Sequence, residues 1–342
     1  MSFIKYIFRR ILAMIPVVFG VLALTFILSR LMPGDPVTAL LSAKGNVRPS
    51  QDVVEAMKRQ LGLDQPLIIQ FFRFLVDLFT GQWGVSVSIA RNQKVWILIM
   101  KRFPRTLDLT IFSMVIAGFV GIKTGTISAV HRNETKDTVY RGLALVGVSI
   151  PVFFLGMLVQ YYIAYVVDLF PATGYKSAGY VDPPFITGFF IIDAALTGNY
   201  YLIIDYLYHL ALPVLCLAFI TLAGIVRQTR SSMLEVLEMD YIRTARAKGC
   251  NEKDVINTHA LKNALIPTVT LIGMNVATLL SGAVLTEITF GLVGMGSLLV
   301  KAITLKDYWV LNALVFIIAI VFTVSNLITD ILYAYLDPRI RY

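Results

Sequence analysis

The chain has 342 residues, of which 57% are hydrophobic and 15% charged, and its mean hydropathy is +0.74. Soluble domains run nearer half apolar with about a quarter charged, so an ordinary soluble protein is excluded and a protein with several membrane spans is indicated. The net charge of +9 is met by basic residues at membrane boundaries and does not call for nucleic acid.

In chain order, Lys5, Arg9 and Arg10 precede an apolar run from Ile11 to Leu31, close to the roughly twenty residues a helix needs to cross the hydrocarbon. The clustered positive charges put the N-terminus in the cytoplasm. No small-residue cleavage site follows, so the run reads as a retained span. Pro33-Gly-Asp-Pro36 then stops the helix. Residues 33–104 read as extracytoplasmic despite their Lys and Arg content, because segments longer than about sixty residues translocate largely regardless of charge. Within them Val53–Leu61 is helical in pattern. Gln65-Pro66 opens a second helix whose stripe of Phe71, Phe72, Phe74, Leu75, Leu78 and Phe79 is read as packing.

The second span is expected at Leu107–Ala129 and the third at Leu143–Val167, joined by the short basic loop His131–Lys136. Residues 168–205 carry Asp168, Asp182, Asp193 and Asp205 against Lys176, which suits the outer side. Phe185–Leu196 is too short to span and reads as interfacial or re-entrant. A fourth span is expected at Leu210–Val226, closed by Arg227 and Arg230, and a fifth at Ile266–Leu285. Gly273, Ala277 and Ser281 recur every four residues along the fifth, a face of small side chains that lets another helix approach. Gly291–Lys306 reads as a glycine-rich outer loop, and a sixth span, Trp309–Tyr335, leads to Arg339 and Arg341. The reading is an all-α membrane protein with six transmembrane helices and both termini cytoplasmic. It divides into residues 1–104 (first span and outer segment), a five-helix core at 105–335 containing a cytoplasmic loop at 231–265, and a tail at 336–342.

The polar interval Leu234–Pro267 is far longer than a simple turn between spans needs. Leu234, Leu237, Tyr241, Ile242 and Ala245 make one apolar stripe, and Val255, Ile256, His259 and Ala260 a second. Gly249 sits where a left-handed residue would end the first helix, and Asn251 is the expected N-cap of the next. Pro267 fits the first turn of the following span. Two short amphipathic helices are expected, presenting a docking surface to a cytoplasmic partner.

No phosphate loop, His-Glu-x-x-His or Gly-x-Ser-x-Gly pattern is present, and Cys216 and Cys250 have no metal-ligand spacing. No catalytic cluster assembles, so any energy used must come from another subunit. Among polar residues within the spans, Asn275 and Glu287 are candidates for lining a path, and Asp330 for pairing with a basic residue such as Arg339. A self-sufficient ion-coupled carrier would need more buried ionisable groups than the spans hold.

The runs DYIRTARAKG (Asp240–Gly249) and HALKNALIPTVT (His259–Thr270) resemble the cytoplasmic signature loop of ABC-importer permeases, in particular those of the dipeptide/oligopeptide family. RRILAMIP, LMPGDP, QLGLDQPL, GQWGVS, GAVLTEITF and NLITDILYAYLDPRIR extend the similarity over essentially the whole chain. The broad Glu-Ala-Ala signature is met only in part, by Arg243-Thr244-Ala245 and Gly249. The resemblance implies a type I importer permease fold. It also implies a coupling helix (Asp240, Arg243, Thr244, Ala245, Arg246, Ala247, Lys248 and Gly249) seated on one of two cytoplasmic ATPase subunits, which bind the ATP and magnesium. This chain itself would bind no cofactor. A second homologous permease and an extracytoplasmic substrate-binding protein complete the implied system. The implied cargo is di- or oligopeptides, with nickel, another chelated metal or a glycoside as alternatives in the same importer class.

Overall fold

The computed structural model describes residues 3–31, 37–38, 41, 50–280 and 283–336. Pro33–Pro36, Ser281, Arg339 and Arg341, singled out from the sequence, lie outside the described residues. The described chain is helical, and its only β-type pairing is an isolated bridge between Val85 and Lys94. Among the described residues, five helices are long and apolar enough to cross a membrane, or six if one sharply bent pair counts as a single span.

Helix α1 (Phe3–Leu31) holds the first apolar run. After the first span, α2 (Gln51–Leu61) and α3 (Leu67–Phe79) follow the predicted pattern, with Pro66 capping α3. A short helix, α4 (Val95–Met100), leads into α5 (Phe103–Val130). The third span is where expectation and structure part. A continuous helix was expected over Leu143–Val167, but α6 (Thr135–Ser149) and α7 (Val152–Val166) meet at 103°. Pro151 has no N–H to continue the ladder and forces Ile150 into extended backbone (φ −88°, ψ 124°).

After the short α8 (Phe190–Leu196) comes α9 (Tyr200–Leu237), a helix of 38 residues. At 1.5 Å per residue it is about 57 Å long, nearly twice the hydrocarbon thickness of about 30 Å. The expected span Leu210–Val226 is only its middle. Helix α9 packs closest on α5, where small residues bring the backbones together: a Cβ at Gly121 would lie 2.7 Å from Ile225, and one at Gly125 2.7 Å from Thr229.

Helix α10 (Asp240–Ala247) is the first helix of the long polar interval. The second helix expected there is not separate: it is the start of α11 (Glu252–Leu280), which passes through a π-helical turn at Val255–Ala260 into the fifth span. Pro267 therefore lies inside that helix and not in its first turn. Beyond it, α12 (Val284–Thr289) and α13 (Met295–Thr304) occupy much of what the sequence presented as span end and loop, and α14 (Tyr308–Leu336) is the last span. Arg10 and Asp330 meet at 2.9 Å, which puts the start of α1 beside the end of α14. Among the described residues the basic partner of Asp330 is thus Arg10.

Carboxylates tie the non-spanning segments down. Asp307, fully buried, accepts through one oxygen from Ser86 Oγ (2.6 Å) and from the N–H groups of Val87, Ser88 and Ile89. Trp83, Val95, Leu98 and Ile99 of the N-terminal portion share one core with Met295, Leu298 and Leu314. Asp193 does the same for the 186–188 turn, accepting from Thr187 Oγ1 and three N–H groups. Burial alone would raise its pKa, but these donors hold the carboxyl below the ordinary carboxylate range. The apolar stretch at 185–196 is helical only from Phe190, whose ring stacks on Tyr206 at 4.7 Å.

In α11, Gly273 lies against the side chain of Thr329 in α14, and Ala277 one turn on is fully buried. Gly273→Leu is expected to force the two helices apart and lower the thermal unfolding midpoint of the detergent-solubilised protein, by about 1–3 kcal/mol in stability. Adding Thr329→Ala should recover part of that loss; an unchanged midpoint in Gly273→Leu would show that the two helices do not depend on this contact.

Candidate functional site

The site is built around α10. Leu237 ends α9, Glu238 and Met239 turn the chain, and Asp240 begins the new helix with a carboxylate in its first turn, where the helix dipole favours one. Ile242 and Ala245 are three residues apart and share a face. Both are buried, in a cluster with Ala129, Met233, Val236, Val255, Ala260 and Ala264. Asp240, Tyr241, Arg243, Thr244, Arg246, Ala247, Lys248 and Gly249 are exposed. Ala245, counted from the family resemblance among the partner-facing residues, therefore faces this chain's own core. Tyr241 and His259, counted in the apolar stripes, are exposed instead; the Tyr241 hydroxyl accepts from Asn263 Nδ2 at 2.8 Å, linking α10 to α11.

The turn after α10 has a defined geometry. Cys250 N–H bonds to Ala245 O at 3.2 Å and Gly249 N–H to Arg246 O at 3.0 Å, the pairing of a Schellman C-cap. It needs a left-handed residue at Gly249, whose φ is +80°. Asn251 then caps α11, its side-chain oxygen accepting from Lys253 N–H. Arg246 reaches over the turn to Glu252 in a two-pronged pair, 2.6 and 3.1 Å. That hydrogen bonding raises the Arg246 pKa further, so its charge is constant at any working pH.

Behind the loop is a buried ion pair that sequence reasoning missed. Arg230 of α9 grips Asp137 of α6 through Nε (2.7 Å) and a terminal nitrogen (2.8 Å). Ser128 Oγ of α5 donates to the same carboxylate at 2.6 Å, and Asn133 N–H at 3.0 Å. Asp137 is fully buried. In the sequence it lies one residue beyond the basic loop His131–Lys136, and Arg230 reads as a boundary charge; nothing in their spacing pairs them. Nearby, Thr229 and Thr268 hydroxyls meet at 3.2 Å between α9 and α11. The helix carrying the exposed charges is packed on α5, α9 and α11, and the ion pair ties α6 to α9 beside it.

The two candidates for a path diverge. Asn275 is half-buried, and its side chain has no hydrogen-bond partner among the described residues. Glu287 is 1% exposed. Its Oε1 accepts from Thr106 Oγ1 at 2.6 Å and its Oε2 from Ser297 N–H at 2.8 Å, while Thr106 Oγ1 accepts from Met295 N–H. This carboxylate caps the start of α13 and joins it to α5, so in this chain it serves as a structural anchor. Among the described residues no cluster of His, Cys, Asp and Glu is placed to hold a metal.

Residues 121–342 match the family described as binding-protein-dependent transport system inner membrane component, and residues 3–110 match the corresponding N-terminal family. The probable D,D-dipeptide transport system permease protein DdpB of Escherichia coli (strain K12) is 40% identical over 341 residues, 99% of this chain and 98% of its own. The dipeptide transport system permease protein DppB of Alkalihalophilus pseudofirmus is 38% identical over 99% of this chain and 100% of its own. The oligopeptide transport system permease protein AppB of Bacillus subtilis (strain 168) is 35% identical over 98% and 99%. Matched from end to end by such relatives, and carrying a charged loop helix bound into a bundle of apolar spans, the chain belongs to the family of binding-protein-dependent transport system inner membrane components.

Proposed function

We propose that this chain is a permease subunit of an ATP-driven importer that carries di- or oligopeptides across the cytoplasmic membrane. Its partners are a second homologous permease, two cytoplasmic ATPase subunits and an extracytoplasmic binding protein. Both termini and the 231–265 loop are cytoplasmic, and ATP and magnesium are bound by the ATPases alone. The end-to-end similarity to dipeptide and oligopeptide permeases supports the cargo. The single observation that carries the coupling role is the two-sidedness of α10: Ile242 and Ala245 are locked inward while Asp240, Arg243, Thr244, Arg246, Ala247, Lys248 and Gly249 are presented outward.

Such a helix works as a handle. A push on its charged side cannot be absorbed by local sliding, because its apolar side is close-packed. It passes to α9 through the Glu238–Met239 turn and to α11 through the Gly249 turn and the Tyr241–Asn263 bond. The length of α9 carries it to the far side of the bundle. The path runs at the interface with the second permease, with Asn275 as a candidate lining residue.

Purified with its subunits and reconstituted in vesicles, the complex should take up labelled dipeptides only with ATP and the binding protein present. The lone chain should carry nothing; uptake of nickel or a glycoside in place of peptides would overturn the cargo. Gly249→Val places a branched side chain at φ +80°, at a cost of about 1–2 kcal/mol. It should lower uptake per ATP hydrolysed while the chain still inserts, whereas Arg243→Glu should weaken retention of the ATPases on co-purification at low salt. Asp137→Asn leaves Arg230 without its ionic partner and should lower both the unfolding midpoint and coupled uptake, with Asp137→Asn/Arg230→Met recovering the midpoint in part. A midpoint unchanged in the single variant would remove the pair from the account of the loop's support.

A further inference from the structure

Helix α3 belongs to the segment that the sequence places outside the membrane, yet its surface is unlike that of a helix in water. Phe71, Phe74, Leu75 and Leu78 turn toward the protein. Opposite them, where an aqueous helix would carry charge, stand Ile68, Phe72, Val76 and Phe79, with exposures of 67%, 58%, 58% and 66%. The polar residues Gln70, Arg73 and Asp77 occupy one narrow edge and line a cavity of about 140 Å³ shared with Arg30, Tyr308 and Asn312. Gln70 is buried there, its amide donating to the carbonyls of Leu63 and Gln65.

The contacts of α3 fix its depth. Phe71 packs edge-on against Phe19 and Phe26 of α1, at 5.4 and 5.3 Å between ring centroids. No charged residue lies between Arg10 and Arg30, so Phe19 is at the middle of that apolar run and Phe26 about 10 Å beyond it. Both fall within the about 15 Å half-thickness of the hydrocarbon. At its other end, Phe79 packs on Phe316 of α14 at 5.2 Å. Phe316 is about 4 Å from the midpoint between Asp307 and Asp330, the charges bounding that helix. Two independent spans thus place both ends of α3 at membrane depth. The neighbouring α1 likewise presents apolar residues outward, with Leu24, Ile27 and Leu28 each more than half exposed.

We propose that α3 is a re-entrant helix immersed in the membrane leaflet remote from the α10 loop, its Ile68/Phe72/Val76/Phe79 face in contact with lipid acyl chains. The segment between α1 and α5 is then held partly in the membrane, and the cavity behind α3 gathers polar side chains that hydrocarbon would otherwise strand.

The test is spin labelling of the intact transporter in lipid nanodiscs, isolated through a tag on this chain, in a Cys250→Ser background. Labels at Ile68→Cys, Phe72→Cys and Val76→Cys should show a ratio of oxygen to nickel-chelate accessibility several-fold above that of Glu55→Cys on α2. A ratio equal to that at position 55 would put the face in water, and labels reached by neither agent would put a protein partner on it. Either result overturns the proposal, and neither bears on the cargo.

Discussion

The bidentate pair between Arg230 and Asp137 is the constraint on which the loop end of the molecule depends. A carboxylate with no water around it must be matched by donors, and this one has Arg230, Ser128 and Asn133, drawn from α9, α5 and the turn between α5 and α6. Breaking that convergence would leave a charge buried alone, which costs far more than the pair gains. The three helices therefore keep one mutual arrangement at this level. The cluster under α10, which includes Ala129 of α5 and Met233 of α9, is built on that arrangement. The charged surface of α10 inherits its orientation from a pair beneath it.

The same device recurs in the segments between the long helices. Asp307, Asp193 and Glu287 each accept several hydrogen bonds, mostly from backbone N–H groups of a neighbouring turn or helix start. Irregular backbone near a membrane has few ways to satisfy its N–H groups, and a buried carboxylate satisfies several at once. This is why Glu287 reads differently in the sequence and in the structure. An ionisable residue near a span end is a candidate for function by default, but here its whole capacity is taken by Thr106 and the first turn of α13.

Rigidity and breakage are distributed unevenly among the spans. Helix α9 runs unbroken for 38 residues and packs on α5 through Gly121 and Gly125, a continuous rod along the bundle. The third apolar stretch is instead broken at Ile150-Pro151, and the fifth begins with a π-helical turn. A stiff strut beside interrupted helices is what the proposed coupling role of α10 would ask of the bundle, and a membrane-inserted α3 would brace the first span against the last.

The sequence by itself determined the membrane class, the place of the first, second and last apolar helices, the Gly249 stop, the Asn251 cap and the family, because these rest on local hydropathy, backbone preference and contiguous motifs. Only the tertiary structure decided that Ala245 faces inward, that the third span is bent by 103°, that α11 begins well before Pro267 and that Glu287 is an anchor. Those outcomes turn on partners distant in the chain, as with Ser86 and Asp307 or Thr106 and Glu287. Hydropathy records how much a residue avoids water and carries no information about which neighbour will meet its hydrogen bonds. For the polar residues of a membrane protein, it is that neighbour which fixes the role.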